Sequence, residues 1–511
     1  MNSFSPPITE HLVSKKKKLL LALLLSIIFF LIEFVLVHFH EPWSDESHCW
    51  AVATSSHSVT QLLYNKRYDG HPDLWYILLY IVQLFTHNIF YMQVMHVFIA
   101  ACTVFVFCFF SPFPFWKNTL ICSGYFFAYE YSIISRNYGI ELLLLFLCAG
   151  LYTVYKQKYL VLISLLFFLL FETNVYAVII GVPFYCYILW NLYKSHFLKQ
   201  KTAVISSALV LAGIIISIIS IEPPGYSAFN AWYTKITLFD FEHVLTTVFT
   251  VYFPVPEFTM HFWSTNILDT LSQSVLIESI LSLLLLLIAV IMFKANKRVL
   301  FLYCIGTFGL LLFTYIKNFG WIRHHGHLYI LFLLCYWLLM AENKATEGSK
   351  NDKAGFWLRK YIIPVLFLAQ IISAIFANVG DVKYIFSNES SVADYLKEKS
   401  LDTLPILGDA DYQVSGIAGI MDKDIYYMRP KYWGRFITLD SNWGFLVPFS
   451  EKDMLYATDK ISEQKKSDII VILTDPFNCT IYKNWIFLKS YTESILGDTF
   501  YVYKVIYTPK I

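Results

Sequence analysis

Four lysines, Lys15 to Lys18, precede an unbroken apolar run from Leu19 to about Phe39, and similar runs recur as far as residue 377. Such a run matches the ~20 residues a helix needs to cross a hydrocarbon layer ~30 Å thick. Inside that layer the backbone has to satisfy its own polar groups, which makes helix the conformation of each run. Further runs lie near 89–110, 119–134, 139–155, 159–171, 174–193, 202–221, 273–293, 299–316, 328–340 and 361–377. They predict a polytopic α-helical membrane protein of about eleven transmembrane helices. Composition agrees, since 15% of the 511 residues are charged and 57% hydrophobic, against about 25% charged in soluble domains. A formal charge of +2 argues against a nucleic-acid partner. The nine cysteines form no CxxC or His-spaced pair, so neither a zinc site nor a disulfide framework is indicated.

The lysines ahead of the first span predict a cytoplasmic N-terminus over residues 1–18, with no cleavage pattern of a removable signal peptide. A shorter apolar stretch, Leu74 to Phe85, reads as a juxtamembrane or re-entrant helix in the first outer loop. With it left uncounted, 18 cations fall in cytoplasmic loops (Lys15–Lys18, Lys117, Lys156, Lys158, Lys194, Lys199, Lys201, Lys294, Lys297, Arg298, Lys344, Lys350, Lys353, Arg359 and Lys360). Six fall outside: Lys66, Arg67, Arg136, Lys235, Lys317 and Arg323. That bias supports the assignment. A transmembrane domain over 19–377, with outer loops at about 40–88 and 222–272, then leads into residues 378–511. This tail holds 18 Asp and Glu against 15 cations, a helical stretch from Ser391 to Lys399, and short apolar runs at Leu404–Leu407, Asp468–Leu473 and Thr499–Ile506. It predicts a small extracytoplasmic α/β domain.

Candidate chemistry gathers on the outer side. Asp45 and Glu46 follow the first span, and carboxyls near a low-dielectric surface have pKa values raised toward those of a general base. The same Ser44-Asp45-Glu46 also suits the capped first turn of a helix. Glu33, Glu130, Glu141, Glu172 and Glu278 fall within or at the edges of spans, where an ionised carboxylate is costly. All five are expected in the outer halves of their helices, converging on Asp45-Glu46. Arg136 joins them at the outer turn between two helices, or pairs structurally with Glu130 or Glu141. The sequence Trp321-Ile322-Arg323-His324-His325-Gly326-His327 is an anion site or an interfacial anchor, and its spacing does not define a metal ligand set. Lys66-Arg67 and His71-Pro72 admit the same two readings. Carboxylates for proton abstraction beside cations for phosphate, at headgroup depth, suit group transfer from a lipid-linked phosphate. No GxGxxG, P-loop or HExxH is present, and nothing in the sequence requires a cofactor.

At these residues the chain resembles the C-type glycosyltransferases, in the branch of protein O-mannosyltransferases and lipid A aminoarabinose transferases. Asp45-Glu46 resembles the acidic pair after the first span, and Gly70-His71-Pro72-Asp73-Leu74 the His-Pro-Pro-Leu start of a juxtamembrane helix, with Asp73 replacing the second proline. Arg136-Asn137-Tyr138 resembles an Arg-x-Tyr element opening a later span. The resemblance is good over roughly the first 200 residues. It implies inverting transfer of a sugar from a polyprenyl-phosphate donor to an acceptor saccharide, lipid or protein, in a bacterial inner (plasma) membrane. It further implies Asp45 as base and Glu46 as the group orienting acceptor or sugar. Arg136, with Arg323, Lys66 and Arg67, would bind the donor phosphate, and His71, Tyr138, Glu172 and His324 would position substrate. Rival readings are a transporter or flippase, a polymerase or ligase of lipid-linked saccharides, and a non-enzymatic receptor. No internal repeat favours the transporter.

Overall fold

A computed structural model of the chain describes residues 8–195, 197, 200–227, 232, 237–343, 353–441 and 449–509. Lys199, Lys235, Lys344 and Lys350, counted above, lie outside them. The molecule is mostly helical, with a small sheet toward the C-terminus. Among the described residues nine helical stretches are long and apolar enough to cross a membrane. They are Lys15–Leu36, Phe90–Phe110, Tyr138–Phe171, Val175–Lys194, Lys201–Ile221, Ser274–Phe293, Lys297–Ile316, Ile322–Glu342 and Lys353–Glu398, the last of which is continuous helix only to Lys383, ahead of the separate helix Asn388–Glu398. Outward-turned Leu20, Ile27, Leu31 and Val35 leave the first of these with an apolar exposed face, which hydrocarbon accommodates and water does not. The stretch Ile322–Glu342 is instead enclosed by its neighbours and carries Arg323 into the interior.

Two segments depart from a simple run of spans. Tyr138–Phe171 is not one rod: the chain reverses at Lys156, whose φ is 51°. The helices Tyr138–Tyr155 and Leu160–Phe171 then lie antiparallel, with Asn137 Nδ2 donating to the Thr173 carbonyl at 2.7 Å. They correspond to the two runs expected at 139–155 and 159–171. The expected span 119–134 is corrected more deeply. Only Phe115–Cys122 is α-helix there, followed by a π-helical turn at Phe126–Glu130 and turns to Asn137. The segment still joins the two ends of the bundle. Lys18 Nζ donates to the Ser111 carbonyl at 2.7 Å, while Ser132 Oγ donates to Glu33 at 3.1 Å. Almost every residue from 125 to 142 is buried, so protein surrounds the irregular backbone, the condition under which such backbone is tolerated at membrane depth. Leu74–Gln83 forms a helix of 10 residues, about 15 Å long and too short to span, with Leu84 and Phe85 exposed beyond its end.

Among the described residues the C-terminal domain forms a six-stranded mixed sheet in the order β3-β2-β1-β4-β6-β5, from β1 Ile406–Gly408, β2 Ile425–Tyr427, β3 Tyr432–Gly434, β4 Ile469–Leu473, β5 Trp485–Tyr491 and β6 Phe500–Val505. β1 is parallel to β2 and β4, and the remaining pairs are antiparallel. Period-2 alternation divides β4, with Ile470 and Ile472 packing toward helices Asn388–Glu398 and Asp411–Met421, and Ile469 and Val471 toward helix Glu451–Lys465. The domain sits on the helix Ser44–Thr54. The Phe386 N–H donates to Glu41 at 2.8 Å, and Gly419 approaches so closely that a Cβ there would lie 2.7 Å from the Ser47 carbonyl oxygen.

Candidate active site

The helix Ser44–Thr54 separates the two adjacent carboxylates. Consecutive helical residues are ~100° apart around the axis, so Asp45 and Glu46 face different surroundings. Glu46 turns inward and is fully buried. It accepts from Trp43 N–H at 3.3 Å, closing the helix's first turn, and from Ser135 N–H at 2.5 Å. His40 Nε2 lies 3.0 Å from it, and His40 Nδ1 meets Asp381 at 2.9 Å. The helix-capping reading thus holds for Glu46, while Asp45 faces the candidate site.

Asp45 Oδ2 accepts from Arg323 Nη2 at 2.7 Å and lies 4.0 Å from Arg136 Nη2, while Oδ1 accepts from the Tyr412 hydroxyl at 2.7 Å. The Asp45 side chain is 18% exposed and those of Arg136 and Arg323 7% each, so the carboxylate is the accessible member of a buried ionic group. Arg136 Nη1 also donates to the Asp45 carbonyl and to Cys49 Sγ, and its Nη2 lies 3.1 Å from His71 Nε2. The Arg323 guanidinium lies over the rings of Trp43 and Trp263, at 4.8 and 5.5 Å from their centroids.

These charges correct the expected raised pKa of Asp45. Burial alone pushes it up, but Arg323, then Arg136, with the Tyr412 hydrogen bond, bring it down to about 2. Burial, reinforced by Arg136, lowers His71 to about 3, so its ring is neutral and Nε2 is free to accept from Arg136. Two guanidiniums face one carboxylate, leaving a net positive centre. Arg323 Nε and Nη1 and Arg136 Nε are buried without hydrogen-bond partners. Such donors suit an anion with several oxygens, a phosphate above all.

The other expected residues divide into those beside this centre and those away from it. Tyr138 is buried, its ring centroid 5.8 Å from that of His324, and His324 stacks on Tyr176 and accepts from Trp321 N–H at 2.9 Å. His325 binds the Phe319 carbonyl, while His327 bridges the His324 carbonyl and Glu141. Of that cluster Arg323 alone reaches Asp45. Among the described residues no group of three or more His, Cys, Asp and Glu is placed to hold a metal ion. Arg136 pairs with neither Glu130 nor Glu141. Glu130 accepts from Tyr125 and Trp263, and Glu141 from Asn174. Of the five expected carboxylates, Glu130 lies beside the centre, bonded to the Trp263 whose ring faces Arg323, whereas Glu33 and Glu141 are held by partners within the bundle and Glu278 lies near Asp269.

Lys66, Arg67 and Glu172 belong to a neighbouring cluster. Lys66 pairs with Asp73 and donates to Ser220 Oγ at 2.7 Å and to the His71 carbonyl at 2.8 Å. Arg67 lies 3.7 Å over the Tyr64 ring. Lys66 and Arg67, with Asp73, Ser220 and Glu222, line a cavity of about 390 Å³. Glu172 is 6% exposed with neither carboxylate oxygen bonded to a side chain, and burial, with the Asp73 carboxylate nearby, raises it to about 7 against the opposing pull of Lys66 and the Asp73 N–H. His71 joins the clusters, its carbonyl on Lys66 and its ring on Arg136.

Tyr412, Trp43 and Trp263 are site residues that the sequence reading did not pick out. Acidic and cationic residues attract notice by charge, whereas a tyrosine in the tail and two of many tryptophans have no local pattern to mark them. No protein-family model matches the chain, and no curated protein matches it.

Proposed function

We propose that the protein is a membrane glycosyltransferase that moves a sugar from a polyprenyl-phosphate donor to an acceptor, with inversion. The observation that carries this reading is the sharing of the accessible Asp45 carboxylate between two buried guanidiniums that keep unpartnered donors. Arg136 and Arg323 bind the donor phosphate. As they turn toward it, Asp45 loses the charges that hold its pKa down and becomes a stronger base. Asp45 Oδ1 takes the proton of the acceptor hydroxyl or amine, and the acceptor's O or N bonds to the anomeric carbon on the face opposite the phosphate. The bond from that carbon to the phosphate oxygen breaks with its electron pair on the phosphate, where the guanidiniums stabilise the charge.

Glu46 fixes the helix that presents Asp45 and does not touch substrate. His71 and Tyr138 hold the walls around the arginines, and Lys66, Arg67 and Glu172 form the neighbouring cluster that His71 joins to Arg136. The lysine distribution supports a cytoplasmic N-terminus, with the site and the C-terminal domain on the opposite, extracytoplasmic face, and the resemblance implies that the membrane is a bacterial inner one. The segment 115–137 counts as a crossing in that arrangement, giving eleven.

Polyprenyl phosphate itself, the leaving product, tests the anion site without knowledge of the sugar. It is expected to raise the thermal unfolding temperature of the full-length protein in lipid nanodiscs, and to lose that effect in the Arg136→Met, Arg323→Met double variant. Equal stabilisation of both proteins would remove the arginines from the site.

A further inference from the structure

Asp45 meets the membrane-embedded bundle through Oδ2 and the C-terminal domain through Oδ1. The second contact is made by Tyr412, in the first turn of the helix Asp411–Met421. That helix lies directly against Ser44–Thr54, the close approach at Gly419 allowing no side chain between them. The docked domain therefore delivers a phenolic O–H, 2.7 Å from the carboxylate oxygen that the arginines leave free. Burial, with Asp45 beside it, holds the Tyr412 hydroxyl well above its ordinary pKa, so it donates to Asp45 as a neutral phenol. In the proposed reaction the acceptor's O–H has to donate to that same oxygen before it can be deprotonated.

We infer that Tyr412 stands where the acceptor hydroxyl will stand: the C-terminal domain fills the acceptor position on Asp45 with a phenol, and the acceptor enters by displacing it. This inference rests on the glycosyltransferase reading and adds to it that acceptor access is governed from the C-terminal domain. A consequence concerns water. A bound donor beside an unoccupied Asp45 loses its sugar to hydrolysis, water's oxygen bonding to the anomeric carbon, its proton passing to Asp45 and the phosphate leaving with the electron pair. Tyr412 denies water that position, so it acts as a positioning residue that excludes the wrong acceptor.

The test is donor hydrolysis without acceptor, by full-length protein in nanodiscs supplied in turn with labelled polyprenyl-phosphate-glucose, -mannose and -arabinose, read as release of free sugar. Tyr412→Phe keeps the ring and removes the hydroxyl, and an unchanged unfolding temperature reports that the domain remains docked. Loss of a hydrogen bond to a charged group is expected to raise hydrolysis about tenfold or more. Asp45→Asn is expected to abolish hydrolysis in both backgrounds. Hydrolysis by Tyr412→Phe equal to or slower than that of the parent protein overturns the assignment of Tyr412 while leaving the transferase reading intact. No hydrolysis of any donor by Tyr412→Phe likewise overturns the assignment of Tyr412, and only the added absence of stabilisation by polyprenyl phosphate overturns the transferase reading as well. A structural role alone would lower all activities together and would not raise hydrolysis.

Discussion

Glu172 offers a quantitative check on the electrostatics beside the site. Its carboxyl is buried with neither oxygen bonded to a side chain, and its pKa stands at about 7 against an ordinary 4.5. The unfolded chain releases this proton near pH 4.5 and the folded protein holds it until about pH 7. The folded state therefore binds more protons across that window, and stability falls as pH rises through it. The difference of about 2.5 pH units at ~1.36 kcal/mol each gives about 3 kcal/mol, which solvent screening reduces to about 2 kcal/mol. Glu172→Gln keeps the shape and removes the ionisation. Thermal unfolding of both proteins in nanodiscs from pH 4.5 to 8 is expected to show nearly equal stability at the acid end. Above pH 7 the variant should be the more stable by about 2 kcal/mol. Other titrating groups cancel in the comparison. A gap that stays constant with pH, or one that favours the parent protein at pH 8, would refute the assignment of a carboxyl without a side-chain partner to this position.

Two further outcomes follow from the geometry. His40 lies between Glu46 and Asp381, and His40→Leu leaves two buried carboxylates facing an apolar side chain, at a cost of roughly 3–5 kcal/mol; a sharp drop in unfolding temperature and in yield of folded protein checks this. Arg323→Met removes one guanidinium from the proposed phosphate and is expected to lower kcat about 10²- to 10³-fold, with a smaller change in acceptor KM; steady-state kinetics with a polyprenyl-phosphate-sugar donor would show it.

The helical architecture is legible in the sequence because hydrocarbon imposes one conformation and a minimum length, so runs such as 19–39 and 202–221 announce themselves. The segment 119–134 misleads for a related reason. Its composition is that of a span, but burial among other helices lets its backbone turn irregularly, and burial is not a property of a local window. Asp45 and Arg136 stood out by charge in apolar surroundings, and the structure brings them to 4.0 Å. What sequence did not reveal was direction around a helix. Adjacent Asp45 and Glu46 have different environments because one faces two arginines and the other a histidine held by Asp381. The pKa of Asp45 turns on the same direction, since proximity to an apolar phase raises a carboxyl and two guanidiniums lower it further than burial raises it. Tyr412 lies 367 residues from Asp45, and only the docking of one domain on another brings the two together.

The central claim is that Asp45 is the base of a sugar transfer whose leaving phosphate is held by Arg136 and Arg323. Its most direct test compares the parent protein with Asp45→Asn in membranes supplied with labelled polyprenyl-phosphate-sugars, following consumption of donor and stabilisation by polyprenyl phosphate together. Loss of donor consumption with polyprenyl phosphate still stabilising the variant is the predicted result, because the arginines remain while the base is gone. Donor consumption by Asp45→Asn at the parental rate would contradict it.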